Sequence, residues 1–257
     1  FGDALPLSEP CPHPYAPQRR SQGERHHEIW SCRLSSFSDP EAVARYAEGP
    51  VRMVPGFKHL QRMAALLLAE RVDANGRVLV LGAGGGHELK AFAEFQPGWR
   101  LDGVDPSSEM LGLARRTLGP FASQVRLHEG TIDVAPEGPF DGATCLLTLH
   151  FLPRKERLRT LIALRRRLRP GAPFVVAHHS FPQDLEGKAL WLERFAAFAI
   201  ASGLPAAQMQ GAITAIGNRL PALSPEEDES LLRDAGFEGV ALYYAALTFR
   251  GWVAYSP

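Results

Sequence analysis

Residues 77–89, RVLVLGAGGGHEL, and residues 100–105, RLDGVD, decide the fold of this chain. The first stretch is an apolar run that breaks into Gly82-Ala83-Gly84-Gly85-Gly86 and then resumes with helix-forming residues. The second is a short strand-like run that ends on Asp105. A buried strand, a glycine turn, a helix and a second strand ending in an acid predict the nucleotide-binding half of a doubly wound α/β sheet.

The spacing of the glycines indicates a nucleoside ligand that is not a dinucleotide. The fingerprint G-x-G-x-x-G requires a glycine at position 87, which is His87 here, and the turn has no Walker lysine pattern. Glycines let the backbone approach a ligand closely because they carry no Cβ. Asp105 follows the turn by about 20 residues, the separation at which a carboxylate accepts hydrogen bonds from ribose hydroxyls.

Composition sets the class of protein. The chain has 257 residues, 45% of them hydrophobic, which suits one α/β domain with an insert. Basic and acidic residues balance at 28 each, which argues against a nucleic-acid partner. Three separated cysteines without a C-x-x-C pattern indicate reduced thiols, no metal and a cytoplasmic location. We expect no membrane span and no signal peptide, and Phe1 indicates that the natural start lies upstream.

The order of the segments predicts three parts. Residues 1–38 are rich in proline and polar residues and predict an irregular arm, although four of its side chains offer an alternative metal site: Cys11, His13, His26 and His27. Asp39 and Pro40 predict the start of the main domain, 39–257, with a second helix over 57–72. Within it we expect a core at 74–183, an insert at 184–222 and a C-terminal part at 223–257.

Strand and helix patterns then alternate, which predicts a parallel sheet with helices on both faces. The helices are expected near 87–95, 107–118 and 153–168. The strands are expected near 77–82, 100–105, 124–129, 140–147, 172–180, 237–246 and 247–255.

Helix 153–168 carries many arginines and offers two interpretations. Leu158, Leu161, Ile162 and Leu168 predict a buried stripe, so the arginines would form the solvated face. Contact with RNA is the alternative.

The whole pattern resembles the class I S-adenosylmethionine-dependent methyltransferase superfamily. The resemblance covers about residues 75–180 through the glycine turn, the segment 105–111, the segment 128–133 and the turn before strand five, 168–172. It implies a Rossmann-like doubly wound seven-stranded sheet whose last strand is antiparallel, with N-terminal helices and a helical insert after strand five. It also implies S-adenosyl-L-methionine as cofactor and S-adenosyl-L-homocysteine as product. The residues expected to bind the cofactor are Arg52, Gly82, Ala83, Gly84, Gly86, Asp105, Pro106, Met110, Thr131, Ile132 and Leu147.

A narrower resemblance, over about residues 42–256, is to the carboxy-S-adenosylmethionine synthases of tRNA wobble-uridine modification. It is carried by Val54-Pro55-Gly56-Phe57, by residues 148–152 and by the tail 234–237. The chain departs from that family at four positions: its tyrosine is Phe57, its arginine in the insert aligns with Ile213, its asparagine is Leu146, and the superfamily's usual acid before the first glycine is Val80. An apolar residue cannot pair with a carboxylate. Arg219 lies near enough in the sequence to replace the missing arginine.

The insert and three histidines complete the predictions. The apolar insert predicts a lid that also forms a homodimer contact. His150, His178 and His179 end strands four and five, and His150 and His178 are the candidate general bases. We therefore expect a methyltransferase that acts on a small molecule by in-line transfer. A carboxy-S-adenosylmethionine synthase and a catalytically idle cofactor-binding protein are the alternatives.

Overall fold

The computed structural model describes residues 49–257, so the predicted arm and the helix start at Asp39 lie outside the described residues. The described helices are α1 Gly49–Met53, α2 Phe57–Ala69, α3 His87–Phe95, α4 Ser108–Leu118, α5 Arg154–Arg165, α6 Leu185–Ala201, α7 Ala206–Arg219 and α8 Pro225–Asp234. The described strands are β1 Arg77–Leu81, β2 Arg100–Asp105, β3 Val125–Glu129, β4 Gly142–Leu146, β5 Pro173–His179, β6 Glu238–Ala246 and β7 Phe249–Tyr255.

The strands form one seven-stranded sheet in the order β3-β2-β1-β4-β5-β7-β6. Strands β1 to β5 pair in parallel, and β7 runs antiparallel to both β5 and β6. The turn between β6 and β7 consists of Leu247 and Thr248, so the two strands form the expected tight pair at the sheet edge. The predicted fold class is confirmed.

Alternation along the strands assigns their side chains to two layers. Val80 of β1 and Val175 and Ala177 of β5 pack in the core beneath α2 and α3, with Leu60 and Phe92 above them. On the other face, Phe174 of β5 stacks on Phe237. The parallel strands bring their carboxyl ends to one edge of the sheet, where ligands of such folds bind.

Helix α5 differs from the amphipathic helix that the sequence predicts. Leu161 and Leu168 are buried as expected, but Leu158 and Ile162 are only half-buried. The arginines do not all lie on a solvated face, because Arg157 is fully buried. Its guanidinium pairs with the buried Asp228 of α8, and an ion partner of this kind is what allows an arginine to be enclosed.

The insert after β5 folds as α6 and α7, which pack on each other. Asp184 caps α6 by accepting a hydrogen bond from the Gly187 N–H at 2.8 Å. The apolar side chains of α6 are buried only in its second half, at Leu192, Phe195, Ala196 and Ala199. Its first turn is open, and Leu185 is 90% exposed.

Candidate functional site

The glycine turn joins β1 to α3, and its backbone forms hydrogen bonds with the neighbouring strand β2. The N–H groups of Gly82 and Ala83 both donate to the Val104 carbonyl, at 2.8 and 3.0 Å. Gly82 and Gly86 have φ values of 80° and 81°, in the left-handed region that favours glycine. A Cβ on Gly82 would overlap the Thr148 side chain. The turn therefore presents bare backbone at the carboxyl edge of the sheet.

Asp105 ends β2 directly beside this turn. Its Oδ2 accepts a hydrogen bond from the Gly84 N–H at 2.9 Å, and its Oδ1 accepts one from the Ser107 N–H at 3.0 Å. Burial raises the pKa of Asp105, and the two backbone hydrogen bonds oppose the rise. A carboxylate has about four acceptor positions, so two remain for the hydroxyls of a ribose.

The remaining residues expected around an adenine follow β2 and β3. Met110 in α4 is buried, and its N–H donates to the Ser107 hydroxyl at 3.1 Å. Ile132 is buried just after β3, in a short 3₁₀ turn that Thr131 caps. Pro106 lies between Asp105 and the Ser107 cap. Met110 and Ile132 thus follow the ends of β2 and β3 with apolar side chains.

The end of β4 has an unusual backbone. Leu147 has a φ of 58°, a left-handed conformation that is rare outside glycine. Its N–H donates to the Ala177 carbonyl of β5 at 2.6 Å, which holds the chain in this conformation. Strained residues of this kind concentrate at ligand-binding sites. Leu147 is also one of the predicted cofactor contacts.

His150 and His179 meet at the same edge of the sheet. A hydrogen bond from the His179 backbone defines the tautomer of His150. The Nδ1 atom of His150 accepts a hydrogen bond from the His179 backbone N–H at 3.2 Å. A neutral imidazole has one acceptor nitrogen and one donor, so Nε2 of His150 carries the proton. Burial, with the other two histidines and Arg157, lowers the pKa of His150 well below its usual range. Burial lowers the pKa of His179 to about 3.

His178 faces the opposite side of β5. Its Nε2 lies 3.1 Å from Oδ2 of Asp228, which also pairs with Arg157. Burial alone would raise the pKa of Asp228, but His178 and Arg157 hold it below its usual range. His178 is 2% exposed. The geometry therefore places it in an enclosed ion network, and its predicted role as a general base stays a prediction.

The positions that depart from the synthase family are apolar and lie in or against the main hydrophobic core. Phe57 packs edge-on against His87, with ring centroids 6.0 Å apart. Ile213 packs in the apolar core of the insert. Arg52 in α1 is exposed, and so is Arg219 at the end of α7. Neither Phe57 nor Ile213 brings a charge to the cleft.

Glu88 and Tyr243 were not among the predicted site residues. Glu88 in the first turn of α3 is 7% exposed and accepts a hydrogen bond from the Thr144 hydroxyl of β4. The Tyr243 hydroxyl of β6 is buried and forms no hydrogen bond within residues 49–257. The sequence carried a signal for Glu88, because it is an acid two residues after the last glycine of the turn. Nothing in the sequence indicated that Tyr243 would reach this layer.

Residues 49–257 contain no group of three or more side chains suited to a metal ion. In the same part of the chain, none of the helices has both the length and the apolar composition to cross a membrane. A cavity of about 330 Å³ lies between Arg77, Arg100 and Arg126. Arg77 and Arg100 begin their strands, so this cavity is at the opposite edge of the sheet from the glycine turn.

Comparisons with known proteins agree with this geometry. A family described as "Methyltransferase domain" matches residues 79–174. A carboxy-S-adenosyl-L-methionine synthase from Chromohalobacter salexigens is 29% identical over 228 residues, which cover 87% of this chain and 84% of that protein. The same enzyme from Pasteurella multocida is 25% identical, over 87% of this chain and 95% of that protein.

Solved structures share the fold. PigF, solved with SAH, aligns with a TM-score of 0.64 and 18% identity over 86% of this chain and 61% of its own. Human N-acetylserotonin methyltransferase, solved with SAM, aligns with a TM-score of 0.54 and 15% identity over 91% of this chain and 68% of its own. The fold, the glycine turn with its acid and the match of residues 79–174 to a methyltransferase domain together make the chain similar to the class I S-adenosylmethionine-dependent methyltransferases.

Proposed function

We propose that the protein binds S-adenosylmethionine at the glycine turn and transfers its methyl group to a small-molecule acceptor. The observation that carries this is the Asp105 carboxylate, fixed by the Gly84 and Ser107 N–H groups with acceptor positions left for a ribose. The bare backbone of residues 82–86 fits a ligand that must approach closely, and Met110 and Ile132 fit an adenine. When bound, the cofactor supplies an activated methyl group, so the protein mainly has to align the two reactants.

The acceptor side of the cleft is aromatic. His179 stacks on Phe249 with centroids 4.0 Å apart, and Phe195 of α6 packs edge-on against His179 at 5.4 Å. These rings come from β5, β7 and the insert, which supports the proposal that α6 covers the cleft as a lid. An apolar lid excludes water, and the aromatic rings suit a small acceptor with an apolar body. Formation of a homodimer through the insert remains a prediction.

His150 is the protein group best placed to orient the acceptor. Because Nδ1 is occupied by the His179 N–H, Nε2 offers a proton. We assign His150 the role of a hydrogen-bond donor to the acceptor, in place of the general base expected from its position. When the acceptor needs no base, methyl transfer requires only that the acceptor and the methyl group be held in line.

A carboxy-S-adenosylmethionine synthase is the second candidate, because the relatives from Chromohalobacter salexigens and Pasteurella multocida carry that name. The chemistry of the cleft favours the first candidate. Burying an unpaired carboxylate costs several kcal/mol, which corresponds to more than a thousandfold in affinity. Phe57 and Ile213 supply neither a hydroxyl nor a cation.

Competition between the two cofactors tests the choice. S-adenosylmethionine and its carboxylated analogue are titrated against the full chain by calorimetry. We expect S-adenosylmethionine to bind more tightly by more than about a thousandfold. Equal or tighter binding of the carboxylated form would favour the synthase, and Arg219→Ala and Arg52→Ala would then identify the cation that holds it. Failure of both ligands to bind would reject the cofactor itself.

A further inference from the structure

The direction in which the cofactor lies along the sheet follows from Asp105. A ribose on Asp105 at the end of β2, with its base toward Ile132 after β3, places adenosine over β2 and β3. The sheet order β3-β2-β1-β4 then leaves only one direction for the rest of the ligand. The amino-acid tail would extend over the glycine turn toward β1 and β4.

A buried acid, Glu88, lies on this side of the glycine turn, next to β4. Val80 of β1 is in register with Thr144 of β4, so both side chains lie on the same face of the sheet. Val80 is apolar, but Glu88 reaches this position from α3 and accepts a hydrogen bond from the Thr144 hydroxyl. The carboxyl group therefore arrives from the helix that follows the glycine turn.

Within the described residues 49–257, Glu88 has no charged partner to explain its burial. Within residues 49–257 it forms no ion pair, and Thr144 is its hydrogen-bond partner. Burial raises its pKa to about 8, against the opposing effect of the Thr144 hydroxyl. A buried acid without a counter-charge is unfavourable unless a ligand supplies one.

Tyr243 gives an independent indication of a ligand. Its hydroxyl is buried and forms no hydrogen bond in the described part of the chain. Its ring crosses Gly251 of β7, where a Cβ would come within 3.0 Å of it, and so extends toward the centre of the sheet. Burial raises the pKa of Tyr243, and the Glu88 carboxyl raises it further.

We propose that Glu88, with the Thr144 and Tyr243 hydroxyls beside it, forms the subsite for the α-ammonium group of the cofactor's amino-acid tail. An ammonium has three donors and one positive charge, which match a carboxylate and neighbouring hydroxyl oxygens. Glu88 is neutral while the subsite is empty and ionises when the ammonium arrives. The proposal rests on the proposed function, since it needs the cofactor to bind at the glycine turn.

Counting protons released on binding tests the subsite. S-adenosylhomocysteine carries the tail, and 5′-methylthioadenosine has the same nucleoside without it. Calorimetry at about pH 6.5, in two buffers with different ionisation enthalpies, gives the protons released by each ligand. At that pH the α-amino group of the tail is already protonated, so the ligand itself contributes little to the proton release. Within residues 49–257, Cys145 and Tyr243 are titratable groups that interact with Glu88, and their raised pKa values keep them protonated.

We expect S-adenosylhomocysteine to release about one proton more than 5′-methylthioadenosine, because only the first ligand ionises Glu88. In Glu88→Gln the extra proton should disappear. The affinity for S-adenosylhomocysteine should fall roughly ten- to a hundredfold, while that for 5′-methylthioadenosine stays unchanged. Glu94→Gln, in the exposed last turn of the same helix, is the matched control and should change neither ligand.

Three outcomes would overturn the subsite. Equal proton release with the two ligands would mean that the ammonium does not reach Glu88. An equal loss of affinity for both ligands in Glu88→Gln would give Glu88 only a structural role in the turn. If neither ligand binds the wild-type chain, the proposed function fails first. The comparison of ligands on the wild-type chain decides the question even if Glu88→Gln does not fold.

Discussion

The Gly84 N–H donates a hydrogen bond to Oδ2 of Asp105 at 2.9 Å. This contact joins the end of β1 to the end of β2, so the two segments that define the sequence pattern hold each other in place. The glycine turn orients the carboxylate, and the carboxylate fixes the turn. A ribose bound to Asp105 would therefore lie beside the bare backbone that the rest of the cofactor needs.

Asp105→Ala should weaken the binding of S-adenosylhomocysteine by about 1–3 kcal/mol, the cost of leaving polar groups unpaired. Titration calorimetry gives the dissociation constant. Asp234→Ala, an exposed aspartate at the end of α8, should leave it unchanged. Equal affinity in wild type and Asp105→Ala would remove the ribose contact from the proposed site.

Gly82→Ala should destabilise the fold and abolish cofactor binding. Its φ of 80° costs an alanine about 1–2 kcal/mol, and the new Cβ would overlap Thr148. Gly211→Ala is the control, since a Cβ at this helical position in α7 meets open space. It should stabilise the protein by about 0.5–1 kcal/mol. Urea unfolding measures both changes, and a harmless Gly82→Ala would contradict the observed turn.

Asp228→Asn should lower the free energy of unfolding by roughly 3–5 kcal/mol, because it leaves the buried Arg157 guanidinium without a counter-charge. Arg154→Ala is matched to it, since Arg154 pairs with Glu227 between the same two helices but in solvent. That exposed pair should contribute about 0–1 kcal/mol. Similar effects of the two variants in urea unfolding would show that Arg157 is not enclosed in solution.

His179 should make the protein sensitive to mild acid. Its folded pKa of about 3 lies below the unfolded value of about 6.5, so the unfolded state binds a proton first as the pH falls. Stability is therefore complete above about pH 6.5 and declines below it. Protonation of His179 alone should lower the free energy of unfolding by roughly 2 kcal/mol between pH 7.5 and pH 5. Unfolding curves of wild type and His179→Phe at the two pH values measure this, and identical pH dependence would refute it.

His150 should carry its proton on Nε2 throughout the neutral range, because Nδ1 accepts the His179 N–H. Long-range ¹H–¹⁵N spectra of the imidazole nitrogens distinguish the two tautomers. His150→Gln retains a donor and should preserve more activity than His150→Leu, which has none. A protonated Nδ1, or equal activity of the two variants, would argue against the donor role.

The local sequence was sufficient for the sheet and the cofactor turn. Glycines 82, 84 and 86 and the acid at 105 predicted β1, the turn, α3 and β2, because a short buried strand and a glycine turn impose the same backbone in any context. The two-residue connection between the last strands likewise predicted an antiparallel pair, since no crossover fits in that length.

Which charged residues are buried was decided only by the tertiary structure. Arg157 resembles its arginine neighbours in the sequence of α5, and it is enclosed because Asp228, 71 residues later, lies opposite it. Glu88 resembles an ordinary acid in the first turn of a helix until Thr144 of β4 is brought beneath it. Helical periodicity assigns a residue to a face, but the charge of a buried side chain depends on partners that come from distant parts of the chain.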